Sequence, residues 1–336
     1  MTTPAWKKFD SLRIADAAER VRGVVRRTPL QALDALDPRI ELRAKLENRQ
    51  EIGAFKARGA WNQVAQLTPA ERKAGVVCTS SGNHGKALAW AAHKAGVRAT
   101  IVMPKNAYPN KIQACRDFGA EVVLSETRDA AEDECAQRVA RGATLVHPYD
   151  ALRTIQGAGT VGLEIAEDWP EVDVVIVPVG GGGLVSGVSL AIRQTLGARP
   201  KVFGAEPRGA PSLSRALAAG KPVMLESIDS KVQGLTPPYS GQANVDVCET
   251  TLDGVVLLDD AEIFDAQRFL VAHGETVEPA GSAALALVLS KKLPVELFAG
   301  RSASNRLKVA VVVSGGNPDP AQLEAVKAEV ARARTH

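Results

Sequence analysis

Between Gly75 and His147, short β-branched runs alternate with alanine-rich amphipathic stretches, and this alternation limits the possible folds more than any other feature of the chain. Val76-Val77-Cys78, Thr100-Ile101-Val102, Val122-Val123-Leu124 and Leu145-Val146 read as strands, and Lys86 to Ala95, Lys111 to Phe118 and Ala130 to Arg141 as the helices between them. That order predicts a parallel sheet covered by helices. A second series predicts another α/β unit: Val174 to Val179, a helix from Leu184 to Gln194, Lys201 to Ala205, and Lys308 to Val313. With 336 residues, 45% of them hydrophobic, the chain is long enough for two cores and a cleft between them. The expected domains are 1–74 with 151–336 as the larger and 75–150 as the smaller. From Ala210 to Thr250 the composition turns to Pro, Gly and Ser, including Pro237-Pro238, and predicts an irregular excursion over a surface or the mouth of a site.

Charge and cysteine usage narrow the function classes. The 41 basic and 38 acidic side chains nearly balance at +3, and no Lys/Arg block interleaves with aromatics, so nucleic acid is not an expected partner. Cys78, Cys115, Cys135 and Cys248 form no C-x-x-C pair and read as buried, reduced thiols of a cytoplasmic protein. Lys7, Lys8 and Asp10 leave no apolar signal-peptide core, and no run reaches the ~20 apolar residues of a membrane helix. A cytoplasmic location with no membrane partner is therefore expected.

Three loops carry the chemistry. Gly180, Gly181, Gly182 and Gly183 lead from the end of a predicted strand into a helix, where free N–H groups and the positive end of the helix dipole suit a phosphate; a plain tight turn is the alternative. Neither G-x-G-x-x-G nor G-x-x-x-x-G-K-[ST] is matched, which argues against a dinucleotide or a nucleoside triphosphate. Ser80-Ser81-Gly82-Asn83-His84-Gly85 also follows a strand and opens a helix. One such residue would serve as an N-cap, and four polar ones suit a carboxylate. Lys56, in Gly53-Ala54-Phe55-Lys56-Ala57-Arg58-Gly59, begins a predicted helix from Ala54 to Leu67, with Phe55 and Trp61 nearby. Most lysines so placed are solvated; a desolvated one is a nucleophilic amine able to form an imine.

Together these segments resemble the fold-type II pyridoxal phosphate enzymes, specifically the serine/threonine dehydratase and serine racemase branch. The resemblance runs in order through Arg27-Thr28-Pro29-Leu30, Gly53 to Gly59, Ser80 to Gly85, Gly180 to Gly183, Gly204-Ala205-Glu206-Pro207, Glu278-Pro279-Ala280-Gly281 and Ser314-Gly315-Gly316-Asn317. It implies a tryptophan synthase β-like α/β fold, with two open, twisted, mostly parallel sheets and the active site between domains. Pyridoxal 5'-phosphate is the implied cofactor and a homodimer the implied assembly. Carried over by residue, Lys56 bears the cofactor, Phe55 packs near its ring, Asn83 bonds its 3-hydroxyl, Gly180 to Gly183 hold its phosphate, and Ser314 meets its pyridine nitrogen. A hydroxyl cannot keep that nitrogen protonated as a carboxylate does, which favours prompt loss of a β-substituent. Ser80, Ser81, Asn83 and His84 fix the substrate carboxylate.

The implied reaction is β-elimination from a β-hydroxy amino acid such as threonine, serine, 3-hydroxyaspartate or phenylserine, giving a 2-oxo acid and ammonia. Lys56 is the implied base. Ser81 stands where racemases of this branch keep a hydroxyl on the face opposite the lysine, so serine or aspartate racemisation is the alternative and a β-replacement synthase a further one. Several positions depart from the family pattern. Ala54 replaces a serine, and Gln156-Gly157-Ala158-Gly159-Thr160 rearranges the usual Ala-Gly-Gln-Gly-Thr. Glu206 is present, yet Ser212 stands where the family's divalent-cation loop carries an aspartate, so no metal ligand is assigned and little dependence on magnesium is expected. Only about twenty residues follow Ser314 to Gly316, too few for the regulatory domain of biosynthetic threonine deaminases, and control by isoleucine is not expected.

Overall fold

The computed structural model describes residues 3–333. Its strands are β1 (Leu30–Leu33), β2 (Ile40–Leu46), β3 (Val76–Thr79), β4 (Ala99–Pro104), β5 (Glu121–Ser125), β6 (Thr144–Leu145), β7 (Val174–Pro178), β8 (Lys201–Pro207), β9 (Gly254–Leu258) and β10 (Leu307–Val313). They form a six-stranded sheet in the order β1-β2-β10-β7-β8-β9 and a four-stranded sheet in the order β5-β4-β3-β6. Only the edge pair β1–β2 is antiparallel.

Alternation along each strand divides the core into layers, because successive side chains point to opposite faces. On β7 and β10, Val174, Ile176, Val309, Val311 and Val313 join Ile263, Leu270 and Leu285 of the helices Asp260–Ala272 and Pro279–Leu289. Val175, Val177, Ala310 and Val312 face the other way, onto Val161 and Ile165 of helix Leu152–Asp168 and Val185 and Val188 of helix Gly183–Leu196. The four-stranded sheet is covered likewise. Cys78, Ile101 and Met103 pack under helix Asn83–Ala95, while Val77 and Val102 meet Ala131 and Cys135. Ile52, Ala57, Ala60 and Val64 belong to that same core beneath the four-stranded sheet.

Helix Leu152–Asp168 sets the spacing of the future site. A Cβ on Gly157 would meet Asn62 Cβ at 2.7 Å on one side, and a Cβ on Gly159 would meet the Gly187 carbonyl at 2.8 Å on the other. The helix therefore lies wedged between Lys56–Val64 and Gly183–Leu196 at a separation that only glycine allows. The rearranged Gln156-to-Thr160 segment thus serves close helix packing on two sides.

Two expectations change. The helix expected from Ala54 spans Lys56–Val64, because Ala54 is held in a backbone bridge to Gly315. The excursion expected from Ala210 to Thr250 contains helices at both ends, Ser212–Ala219 and Gln242–Thr251; only the segment between them is irregular. Glu206 offers its carboxylate to Leu213 N and Ser214 N, so buried capping turns a serine-rich stretch helical.

Candidate active site

Both glycine- and serine-rich loops leave the carboxyl ends of central parallel strands, β7 and β3, and run straight into helix N-termini. This is the edge at which open α/β sheets bind ligands. The segment carrying Lys56 is brought to the same edge by backbone hydrogen bonds, Phe55 N to Ser314 O at 3.0 Å and Gly316 N to Gly53 O at 2.7 Å. One cavity of ≈ 330 Å³ results, lined by Phe55, Lys56, Ser80, Ser81, Asn83, His84, Gly181 and Ser314 among others. An adjoining space of ≈ 550 Å³ shares Ser81, Asn83, Thr236 and Glu278 with it. Of the expected site residues, Gly180, Gly182 and Gly183 do not line the cavity.

The amine of Lys56 donates to the Pro148 carbonyl at 2.6 Å and lies 5.0 Å from the Phe55 ring centroid. Burial disfavours its ammonium form and pushes its pKa down to about 8. His84 is pushed down to about 3 by burial and by the nearby Lys56 charge, so its ring is neutral. Its Nε2 pairs with the Val146 carbonyl at 2.7 Å, which makes Nε2 the protonated nitrogen. With its ring donor spent, His84 shapes the loop and leaves backbone N–H groups and the hydroxyls of Ser80 and Ser81 to face an anion. Asn83 donates to Glu278 Oε1 at 2.6 Å and accepts from Asn317 Nδ2 at 2.9 Å, which fixes the sense of its amide. Among the described residues the Ser314 hydroxyl reaches only the Ala280 carbonyl, at 3.5 Å.

At the tetraglycine turn, Gly182 has φ +97°, a conformation that favours glycine, and helix Gly183–Leu196 has no side-chain cap. No acceptor among the described residues takes the N–H groups of Gly181, Gly182 or Gly183. A Cβ on Gly181 would run into the Tyr149 ring, and one on Gly183 would lie 2.9 Å from the Tyr149 backbone. A set of unspent donors at a helix N-terminus, approachable only for want of side chains, is the chemistry a phosphate needs.

Sequence reasoning missed several contributors. Tyr149 covers Gly181, and its ring meets those of His147 and Tyr239 edge-on, at 4.8 and 5.9 Å. Thr79, Arg128 and Glu132 add polar groups to the cavity wall. Asn317 joins three segments: it donates to Ile52 O and Asn83 Oδ1, both at 2.9 Å, and accepts from Lys86 Nζ at 3.1 Å. Lys111 Nζ also bonds its carbonyl, at 2.7 Å. Glu278 and Asn317 lie within motifs already singled out, so a signal existed for them. Nothing local marked Tyr149 or Arg128.

Fold and site together define an α/β protein with a phosphate-sized turn and a desolvated lysine at one sheet edge. The family model described as pyridoxal-phosphate dependent enzyme matches residues 21–315, and the chain belongs to that family. It is 40% identical over 311 residues to L-threonine ammonia-lyase of Thermotoga maritima, covering 91% of this chain and 75% of that one. It is 37% identical over 318 residues to phenylserine dehydratase of Ralstonia pickettii, covering 93% and 94%. The solved structure of maize serine racemase superposes with a TM-score of 0.86 at 34% identity, covering 96% and 98%. Pyridoxal 5'-phosphate is accordingly the cofactor, and the free glycine N–H groups, the desolvated Lys56 amine and the cavity size all fit it.

Two predictions arise at this site. Gly182→Ala places a Cβ 2.8 Å from Asn244 Cβ at a positive φ, a strain of about 1–3 kcal/mol. Its cofactor Kd, from fluorescence titration of the apo-protein, should rise at least about tenfold. With the neutral Lys56 amine as nucleophile, the second-order rate of cofactor capture by the apo-protein should climb with pH and level off above about 8. A rate still climbing at about pH 10 would mean a solvated lysine.

Proposed function

We propose that this chain is a pyridoxal-phosphate-dependent ammonia-lyase, removing the hydroxyl and then the amino group of a β-hydroxy amino acid to yield a 2-oxo acid and ammonia. The observation that carries the reading is a half-buried Lys56 amine, depressed to about 8, sharing one cavity with the Ser80-to-His84 loop and Gly181. When bound, pyridoxal phosphate supplies an electron sink that acidifies the α-hydrogen of the amino acid attached to it. Gly181 to Gly183 would hold its phosphate, Phe55 its ring face, Asn83 its 3-hydroxyl and Ser314 its pyridine nitrogen. Glu278 and Asn317 preset the Asn83 amide for that contact. Ser80, Ser81 and the N–H groups at the start of helix Asn83–Ala95 bind the substrate carboxylate. Lys56, neutral above about pH 8, takes the α-proton at Nζ.

The names of the relatives support elimination from threonine or phenylserine. Incubation with L-threonine, L-serine, 3-hydroxyaspartate and phenylserine, with detection of 2-oxo acid, tests it; no 2-oxo acid from any of them would sink it. Racemisation is the second reading, favoured by a hydroxyl on Ser81 within the Lys56 cavity and by the similarity to serine racemase. Accumulation of the mirror amino acid from one enantiomer would establish it, and Ser81→Ala should then spare elimination more than racemisation. A β-replacement synthase is the third and least supported reading.

We further propose that residues 1–74 with 151–336 and residues 75–150 act as the larger and smaller bodies around the cavity. The membership of the two sheets supports this division; the packing of Ile52, Ala57, Ala60, Val64 and Leu67 against the smaller sheet runs against its boundary at residue 74. A cytoplasmic homodimer is the assembly the family resemblance favours. Four buried free thiols agree with a reducing compartment.

A further inference from the structure

The family resemblance places a divalent cation beside Glu206, and the residues of this chain do not fit one. Glu206 is fully buried at the end of β8, and donors, not acceptors, converge on it. Its Oε1 accepts from Leu213 N at 2.7 Å, with the Ser212 oxygen 3.5 Å away; its Oε2 accepts from Ser214 N at 3.1 Å and from the Ser214 hydroxyl at 2.6 Å. A hard cation needs about six oxygen ligands turned toward it. Among the described residues, no group of three or more His, Cys, Asp or Glu side chains could provide them.

Ser212 does something else at this spot. Its hydroxyl lies 3.2 Å from the Gly180 carbonyl and 3.0 Å from the Ser240 hydroxyl, and both serines are fully buried. One hydroxyl proton and two lone pairs let it donate to Gly180 while accepting from Ser240. The Gly180 carbonyl and the Gly181 N–H belong to one planar trans peptide unit and point in opposite directions. Holding the carbonyl on the Ser212 side therefore aims the Gly181 N–H toward the cavity that Gly181 lines. Asn244, four residues past Ser240, packs against Gly182 and props the same turn from behind.

We propose that Ser212 is a positioning residue for the tetraglycine loop, fixing Gly180 by a direct hydrogen bond, so that this chain grips the cofactor phosphate without a divalent cation. The proposal rests on the reading of Gly180 to Gly183 as the phosphate loop. Its test is a titration of cofactor-free, EDTA-dialysed protein with pyridoxal phosphate, with and without millimolar magnesium, for the wild type, Ser212→Ala and Ser214→Ala. Ser214→Ala removes a hydroxyl from Glu206 and none from Gly180. The wild-type Kd should not respond to magnesium. Ser212→Ala should bind about tenfold more weakly, with a shifted phosphorus resonance for the bound cofactor, and Ser214→Ala should match the wild type in both.

Chelation that weakens wild-type binding, with rescue by magnesium, would overturn the proposal. So would a Ser212→Ala protein binding as tightly as Ser214→Ala. If Ser212→Ala does not fold, Ser212→Cys, similar in size with a weaker donor, should show a smaller loss of the same sign, and an unchanged Kd would count against the proposal. A wild type that binds no pyridoxal phosphate at all would instead overturn the phosphate-loop reading beneath it.

Discussion

Lys56→Ala is expected to abolish turnover of the β-hydroxy amino acid that the wild type uses, lowering kcat by more than about 10⁴-fold, and to remove the visible absorbance of the holo-protein. The size follows from two roles meeting in one atom. The proposed function gives Nζ two tasks, anchoring the cofactor and taking the α-proton, and the Lys56 amine is held on the cavity wall by the Pro148 carbonyl. The fold should not suffer. Burial lowers the amine's pKa from 10.5 to about 8, so at neutral pH the folded state holds a proton less tightly than the unfolded chain does. The wild-type apo-protein is thus penalised below pH 8, and its stability should rise between pH 8 and 10.5 as only the unfolded chain still binds that proton. Lys56→Ala apo-protein should accordingly melt no lower than the wild type at neutral pH. An inactive variant that also failed to fold would assign the lysine a structural part that this account denies it.

Arg58→Met is expected to be the most destabilising single change near the site, costing about 3–5 kcal/mol of the roughly 5–15 kcal/mol that holds a domain folded. Arg58 is fully buried two residues from Lys56. It donates from Nε and Nη2 to Glu47, both at 2.8 Å, and from Nη1 and Nη2 to Glu164, at 2.7 and 2.8 Å. Burial opposes ionisation of Glu47, yet the guanidinium outweighs it and holds the carboxylate below its ordinary range. Removing Arg58 leaves two carboxylates facing each other, with Lys45 bonded to Glu164 at 2.6 Å as the nearest compensation. Adding Glu47→Gln should restore part of the loss, because one stranded charge disappears. Urea unfolding of the apo-proteins measures this, and a single-variant loss below about 1 kcal/mol would show that the network is slack.

Much of the fold was legible because most strands of both sheets are apolar runs bounded by turns. The six residues Val174 to Val179 are all buried. The unread parts hid behind charge. Ile40 to Leu46 carries Glu41, Arg43 and Lys45 on alternate positions and resembles a solvated edge, yet it is the second strand of the larger sheet and Lys45 is fully buried. Its amine is satisfied by Glu164 and by the Thr28 carbonyl at 2.6 Å, partners far away in sequence. Arg58, charged yet fully buried, is hidden for the same reason. Composition misled in the opposite sense at Ser212–Ala219, where buried capping by Glu206 overrides a loop-like sequence.

The candidate site was legible where glycine and serine interrupt the strand-to-helix pattern, since an anion-binding turn needs free N–H groups and no side chains. Tyr149 could not be read, as only the folded chain lays its ring on Gly181. Nor could the neutrality of His84, which depends on burial and on the carbonyl of Val146 rather than on any neighbour in the sequence.

The central claim is that one amine carries the cofactor. Reducing the purified holo-protein with borohydride, digesting it and locating the pyridoxyl mass among its peptides tests this most directly. The adduct should sit on Lys56 alone. An adduct on any other lysine, with Lys56 recovered unmodified, would contradict the account.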